Sequence, residues 1–203
     1  MPAEDDPFVE VLRQTLDVMA GSGVRALAIG EVADAILRGT QQRPASIELF
    51  LLPQHAERAF EDLRARGYRP RGGDRRWRFG LSRSGVEVDL THRSAGDVYV
   101  DDEMLRRSTD REYEQVSVPV ASPEDLLVIR ALRHGEDRPR EWWDALAALE
   151  RGDLDWAYLA NRGRQYGAHR VLSLLMHARS LGHPVPDDAI RGLFEFLDQR
   201  RQG

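Results

Sequence analysis

Residues 24–52 constrain the fold more than any other part of the chain. Residues 24–29 (VRALAI) read as a buried strand and Gly30 as a turn. Residues 31–37 read as a short helix with Val32, Ala35 and Ile36 facing inward, and residues 47–52 as a second apolar strand stopped by Pro53. A strand that passes through one glycine into a helix and returns as a strand can bury these residues only in layers of sheet and helix.

The flanking patterns extend that layering. Phe8, Val11, Leu12, Leu16 and Met19 form a helical stripe ended by Gly21-Ser22-Gly23, and Ala56, Ala59, Phe60 and Leu63 form another within residues 54–66, closed by Gly67. Residues 38–43 are polar and loop-like. Residues 69–82 read as a hairpin around Gly72-Gly73-Asp74, and residues 86–90 as a strand behind a Ser84-Gly85 turn. Residues 113–120 look extended, with Val116, Val118 and Val120 alternating. Beyond them the pattern turns helical. Ser122 is a good cap, with Pro123 at the first helical position and Glu124 and Asp125 in the first turn. A helix opened by Pro139 is expected to end at Gly152, and further helices are expected near residues 155–166, 169–181 and 187–200. The Trp142-Trp143 pair should bury one ring and expose the other. An α/β domain over residues 1–120 followed by a helical region over residues 121–203 is the expected organisation.

Composition removes several chemistries. The chain has no cysteine, and all 29 basic residues are arginine. Disulfides, thiolate catalysis, cysteine-bound zinc, Schiff-base lysines and Walker-type lysines are therefore excluded. A formal net charge of −5 argues against a general nucleic-acid binder. No apolar run approaches the roughly 20 residues of a membrane span. The N-terminal Met1-Pro2-Ala3-Glu4-Asp5-Asp6 lacks the basic start of a secretory signal, so a cytoplasmic location is the default expectation.

Two of the strands carry acids. One begins Ser46-Ile47-Glu48, and the other reads Val86-Glu87-Val88-Asp89-Leu90. Residues two apart on a strand share a face, which puts Glu87 and Asp89 side by side.

In order and spacing these segments resemble the nucleotidyltransferase superfamily, in particular its uncharacterised bacterial and abortive-infection-type members. The similarity covers roughly residues 20–185. It includes Arg43-Pro44-Ala45 ahead of Ser46, the stretch 118–127 around Ser122-Pro123-Glu124-Asp125, Arg130 where a lysine often stands, Asp144, and Asp155-Trp156. The resemblance implies an α/β (α+β) fold, a mixed β-sheet flanked by helices and followed by a C-terminal α-helical region. It also implies transfer of a nucleoside monophosphate from an NTP to a hydroxyl acceptor. Gly30, Glu31 and Ser46 would then lie at the nucleotide, Glu48 and Asp89 would hold Mg2+, and Glu87 would be an auxiliary catalytic carboxylate.

This chain departs from the family pattern at two stations. Where the family has an Asp-x-Asp pair, Ser46 offers only a neutral hydroxyl and Glu48 is one methylene longer. Where the family has Gly-Ser or Gly-Gly, Glu31 sets a carboxylate near the seat of the triphosphate. Two like charges ~4 Å apart at an effective dielectric of 20 repel by about 4 kcal/mol. Two readings follow: an NTP-using transferase, or a catalytically degenerate fold that binds a ligand in its cleft or a protein through its helical region. A weaker third reading takes Arg69, Arg71, Arg75, Arg76 and Arg78, around Trp77 and Phe79, as an RNA-contacting hairpin; a solvated arginine-rich turn is the plainer account. His92 is a candidate proton shuttle because it follows Asp89 by three residues. Asp97, Asp101, Asp102 and Glu103 are explained most simply as the acidic start of a helix.

Overall fold

The computed structural model describes residues 6–39, 43–135, 139–150 and 153–202. Two compact units emerge, the first built from the chain up to Arg93 together with Tyr99–Ala121, the second from Ser94–Val98 together with the chain from Ser122 onward.

In the first unit the elements run α1 (Pro7–Gly21), β1 (Ala26–Ile29), α2 (Gly30–Arg38), β2 (Ser46–Leu51), α3 (Pro53–Ala65), β3 (Arg69–Arg71), β4 (Arg78–Arg83), β5 (Val86–Thr91), α4 (Asp102–Arg107), β6 (Thr109–Tyr113) and β7 (Val116–Val120). The seven strands form one mixed sheet in the order β3-β4-β5-β2-β1-β7-β6. The β2–β5 and β1–β7 pairs are parallel, and the other neighbours are antiparallel.

Local chemistry explains most of the boundaries. The Asp6 side chain caps α1 by accepting from the Phe8 amide at 2.9 Å, and Pro7 fits the first turn. Gly39 ends α2 in the left-handed conformation. Asp101 caps α4 by accepting from Met104 N at 2.8 Å, while Asp102 and Glu103 fill its first turn, so these three acids do begin a helix, whereas Asp97 ends a separate 3-10 turn. Strand register sorts the side chains by face. Phe79 meets Phe60 of α3, with ring centroids 5.0 Å apart. Leu90, Leu49 and Ala28 lie in the same cross-strand row as Phe79 and therefore share its apolar face. Burying a residue such as Phe60 or Leu63 contributes roughly 1.5–3 kcal/mol, against about 0–1 kcal/mol for an exposed ion pair. The sheet–helix interface, not the many surface arginine pairs, holds this unit together.

The extended reading of residues 113–120 is corrected. β7 covers only Val116–Val120, and the chain reverses at Glu114-Gln115 into β6. Both turn residues have positive φ (45° and 64°), the geometry of a two-residue hairpin loop without its usual glycine or asparagine. The polar residues 38–43 include three, 40–42, that lie outside the described residues.

The second unit contains a short 3-10 turn (Ala95–Asp97) and helices α5 (Pro123–Arg133), α6 (Pro139–Leu149), α7 (Trp156–Tyr166), α8 (Ala168–Ser180) and α9 (Asp187–Gln202). The expected stop at Gly152 lies outside the described residues. Leu127, Ala131, Leu146, Leu159, Val171, Leu175 and Leu193 meet in its core. Trp142 packs against that core with His134 and His177 beside its ring, while Trp143 is 66% exposed. Asp125 is buried in this unit. It accepts from Ser122 Oγ at 2.9 Å, Tyr158 OH at 3.0 Å and Arg162 Nε at 2.8 Å, which locks α5 to α7. Among the described residues no helix is long and apolar enough to cross a membrane.

Candidate functional site

The acids of β2 and β5 come together because those two strands pair in parallel. Glu48 stands directly beside Asp89, and Ser46 beside Glu87. The same row continues across the sheet in both directions: Arg71 on β3, Gly80 on β4, Asp89 on β5, Glu48 on β2 and Ile29 on β1. This row lies on the face opposite Phe79.

Gly80 gives the row its character. With no side chain there, Arg71 reaches over β4 to the acids of β5. A Cβ on Gly80 would sit 3.4 Å from Asp89 Oδ1, 3.4 Å from Arg71 Cβ and 3.2 Å from the Gly72 carbonyl, leaving no room for anything larger. Arg71 Nη2 donates to Asp89 Oδ1 at 3.0 Å, and Arg78 Nη1 donates to Asp89 Oδ2 at 2.9 Å. Arg71 Nη1 also pairs with Glu87 Oε1 at 3.1 Å. Asp89 is only 7% exposed. Burial raises its pKa above the ordinary value, Arg78 and Arg71 pull the other way, and Glu48 and Glu87 add to the rise.

On the other side of the row, Thr91 Oγ1 donates to Glu48 Oε1 at 2.9 Å. Gly30 opens α2 with φ of +64°, and a Cβ built on it would lie 2.8 Å from Glu48 Oε2. Glycine is required here twice over, by its left-handed backbone and by the close approach of the carboxylate. Glu31 turns to the chain just ahead of β2, where its Oε2 accepts from Ala45 N at 2.5 Å.

The structure thus brings Gly30, Glu48, Glu87 and Asp89 to one region of one sheet face, with Ser46 alongside Glu87. It does not bring His92 to them. The His92 ring contacts Phe79 on the opposite face, and its Nε2 lies 3.0 Å from the Arg75 carbonyl. Sequence reasoning missed Arg71, Arg78, Gly80 and Thr91 as parts of the site. The two arginines stood in the sequence as members of a basic hairpin, and the only signal for their role was the register that the hairpin would adopt against β5.

Nucleotidyltransferases typically use divalent metals, and the residues here do not fit a two-magnesium cage. Magnesium takes hard oxygen ligands in octahedral geometry. Both Asp89 oxygens already accept from guanidinium groups, and Ser46 supplies no charge. Among the described residues no group of three or more His, Cys, Asp or Glu side chains is arranged to hold a metal ion.

Comparison with known proteins agrees with this fold. A family model described as uncharacterised nucleotidyltransferase matches residues 41–181. No curated protein matches the sequence. Among solved structures, the lincosamide antibiotic adenylyltransferase LnuA with lincomycin bound is 18% identical, with a TM-score of 0.50 over 68% of this chain and 94% of that one. The structure of ANT(2")-Ia in complex with adenylyl-2"-tobramycin is 13% identical, with a TM-score of 0.54 over 85% of this chain and 97% of that one. At such identities the likeness speaks for the fold alone. The family match spans most of the chain, and this protein belongs to the uncharacterised nucleotidyltransferase family.

Proposed function

We propose that this member of the family is catalytically degenerate and uses its nucleotidyltransferase fold as a binding module for a nucleotide or similar small ligand. One observation supports this reading above the others: Asp89, which would hold magnesium, is neutralised by Arg71 and Arg78. Two guanidiniums in charge-assisted contact with one carboxylate do the electrostatic work that a cation would otherwise do there. A metal would have to displace both. The position of Glu31 fits the same reading, because it is an acid in the first turn of α2, where a triphosphate would otherwise be favoured.

A second reading is favoured by the adjacency of Glu48 and Asp89 beside Gly30. It is transfer of a nucleoside monophosphate from an NTP to a hydroxyl on a small molecule, of the kind that the solved adenylyltransferases bind.

Manganese binding measured by electron paramagnetic resonance, alongside pyrophosphate release from each NTP with lincomycin or tobramycin present, separates the two. The binding reading expects neither signal from the natural chain, and recovered manganese binding in the S46D/E48D/E31G variant. Specific manganese binding with pyrophosphate release by the natural chain would overturn it and favour transfer.

A further inference from the structure

We propose that the first unit carries a second ligand site, at the β4–β5 turn, that takes a phosphoryl group. A hollow of about 470 Å³ opens there, lined chiefly by Arg66, Arg69, Arg83, Ser82 and Ser84. Its volume falls within the roughly 300–1,000 Å³ typical of small-molecule sites. Its lining runs along the β4–β5 ladder from Ser82↔Glu87, with Arg69 beside Ser82, to Arg83↔Val86, two and three residue pairs from Gly80↔Asp89. At about 3.3 Å per residue that is about 7–10 Å. A ligand seated in it leaves Arg71 and Arg78 with Asp89.

The chemistry of the lining is one-sided. Three arginines and two serines line the hollow, and among the described residues no aspartate or glutamate does. Arg83 is held in place: it donates to the Arg66 carbonyl at 2.5 Å, and its guanidinium lies 5.1 Å from the Tyr68 ring centroid. The side chains of Arg66 and Arg69 make no hydrogen bond or ion pair among the described residues. Most exposed arginines of this unit are treated differently. Arg13 meets Glu10, Arg64 meets Glu61, Arg76 meets Asp74, and Arg106 meets Glu103. In a chain with 34 acids against 29 arginines, a hollow that gathers three arginines and excludes acids runs against the average. Like charges held together repel, and an anion relieves the repulsion. A phosphoryl group suits the planar guanidinium fork better than a simple halide does, because its tetrahedral oxygens accept paired N–H bonds and still leave acceptors for Ser82 and Ser84.

The assignment stands whether or not the Asp89 cleft is catalytic. Calorimetric titration at low salt, with chelator present to remove metal, uses pyrophosphate, inorganic phosphate, ATP and adenosine as probes. Pyrophosphate is expected to bind and adenosine not to bind. R66Q/R69Q, both changes at exposed positions, is expected to weaken pyrophosphate binding at least about tenfold, the loss of roughly one charge-assisted contact. R106Q, at a paired surface arginine elsewhere in the unit, is expected to leave it unchanged. ATP and pyrophosphate binding alike would mean that the phosphates alone are recognised. ATP binding much tighter, and lost in R66Q/R69Q, would mean that the site takes a nucleotide. In both cases R66Q/R69Q loses pyrophosphate, and ATP that it still binds belongs to the Asp89 cleft. The proposal is overturned if the natural chain does not bind pyrophosphate, if R66Q/R69Q binds it as the natural chain does, or if R106Q weakens it equally.

Discussion

Replacing Gly30 with alanine tests the tightest contact in the cleft. Two costs arise, and they can be separated. The first is backbone: φ of +64° costs a residue with a Cβ about 1–2 kcal/mol. The second is steric. The new Cβ would stand 2.8 Å from Glu48 Oε2, so the carboxylate must move. Moving a flexible side chain is cheap in itself, but Glu48 Oε1 accepts from Thr91 Oγ1 at 2.9 Å, and that bond goes with it. A hydrogen bond to a charged group is worth about 1.5–3 kcal/mol, and the half-buried setting argues for the lower end. G30A should therefore destabilise the sheet unit by about 3 kcal/mol. In an E48A background only the backbone term remains, about 1–2 kcal/mol, leaving a coupling of about 1.5 kcal/mol. Amide hydrogen exchange of β1 and β2 reads the sheet unit directly across the four chains of this cycle. Equal costs of G30A in the two backgrounds would show that Glu48 does not crowd Gly30, and the geometry argued for the cleft would fall.

Asp89 should titrate above its ordinary value of 3.8, and R78A or R71A should raise its midpoint further, since each removes a cation that lowers it. Between 3.8 and the raised folded value the folded chain holds more protons than the unfolded one. The Asp89 contribution to stability therefore falls as pH rises through that window and is level above it. Carbon-13 carboxyl shifts measure the midpoint, and a natural-chain value at or below 3.8 would contradict the burial argument. In the helical unit, D125A takes the Asp125 carboxylate away from Arg162, whose side chain is 3% exposed. A loss of about 3–5 kcal/mol in urea unfolding is expected, and a loss below about 1 kcal/mol would refute the locking role.

Where a feature depends on local pattern, the chain announces it. Val116, Val118 and Val120 alternate in sequence and are all buried in β7. Ser122 caps α5 through the Asp125 amide, as its place before Pro123 implies. One tryptophan of the adjacent pair packs inward and the other faces solvent. Features that depend on register were not legible. Arg71 and Arg78 lie 18 and 11 residues from Asp89, and nothing in their spacing states that a hairpin will lay them across it. Gly80 looks like any strand glycine until Arg71 and Asp89 are seen on either side of it. β6 was hidden for a different reason. Thr109, Asp110, Arg111 and Glu112 are all exposed, so an edge strand arises with no apolar alternation, and its turn uses Glu114 and Gln115 where glycine or asparagine would have signalled it.

The short strand β3 has one paired neighbour, β4, and sits at the margin of the sheet. Margins of sheets open more readily than their centres. Because Arg71 belongs to that margin while its carboxylate partners belong to an interior strand, each fraying of three residues withdraws one cation from the cleft and deepens the excess of carboxylates over guanidiniums there. The electrical character of the interior is thus governed from the periphery, by the part of the sheet that can change at least cost to the rest.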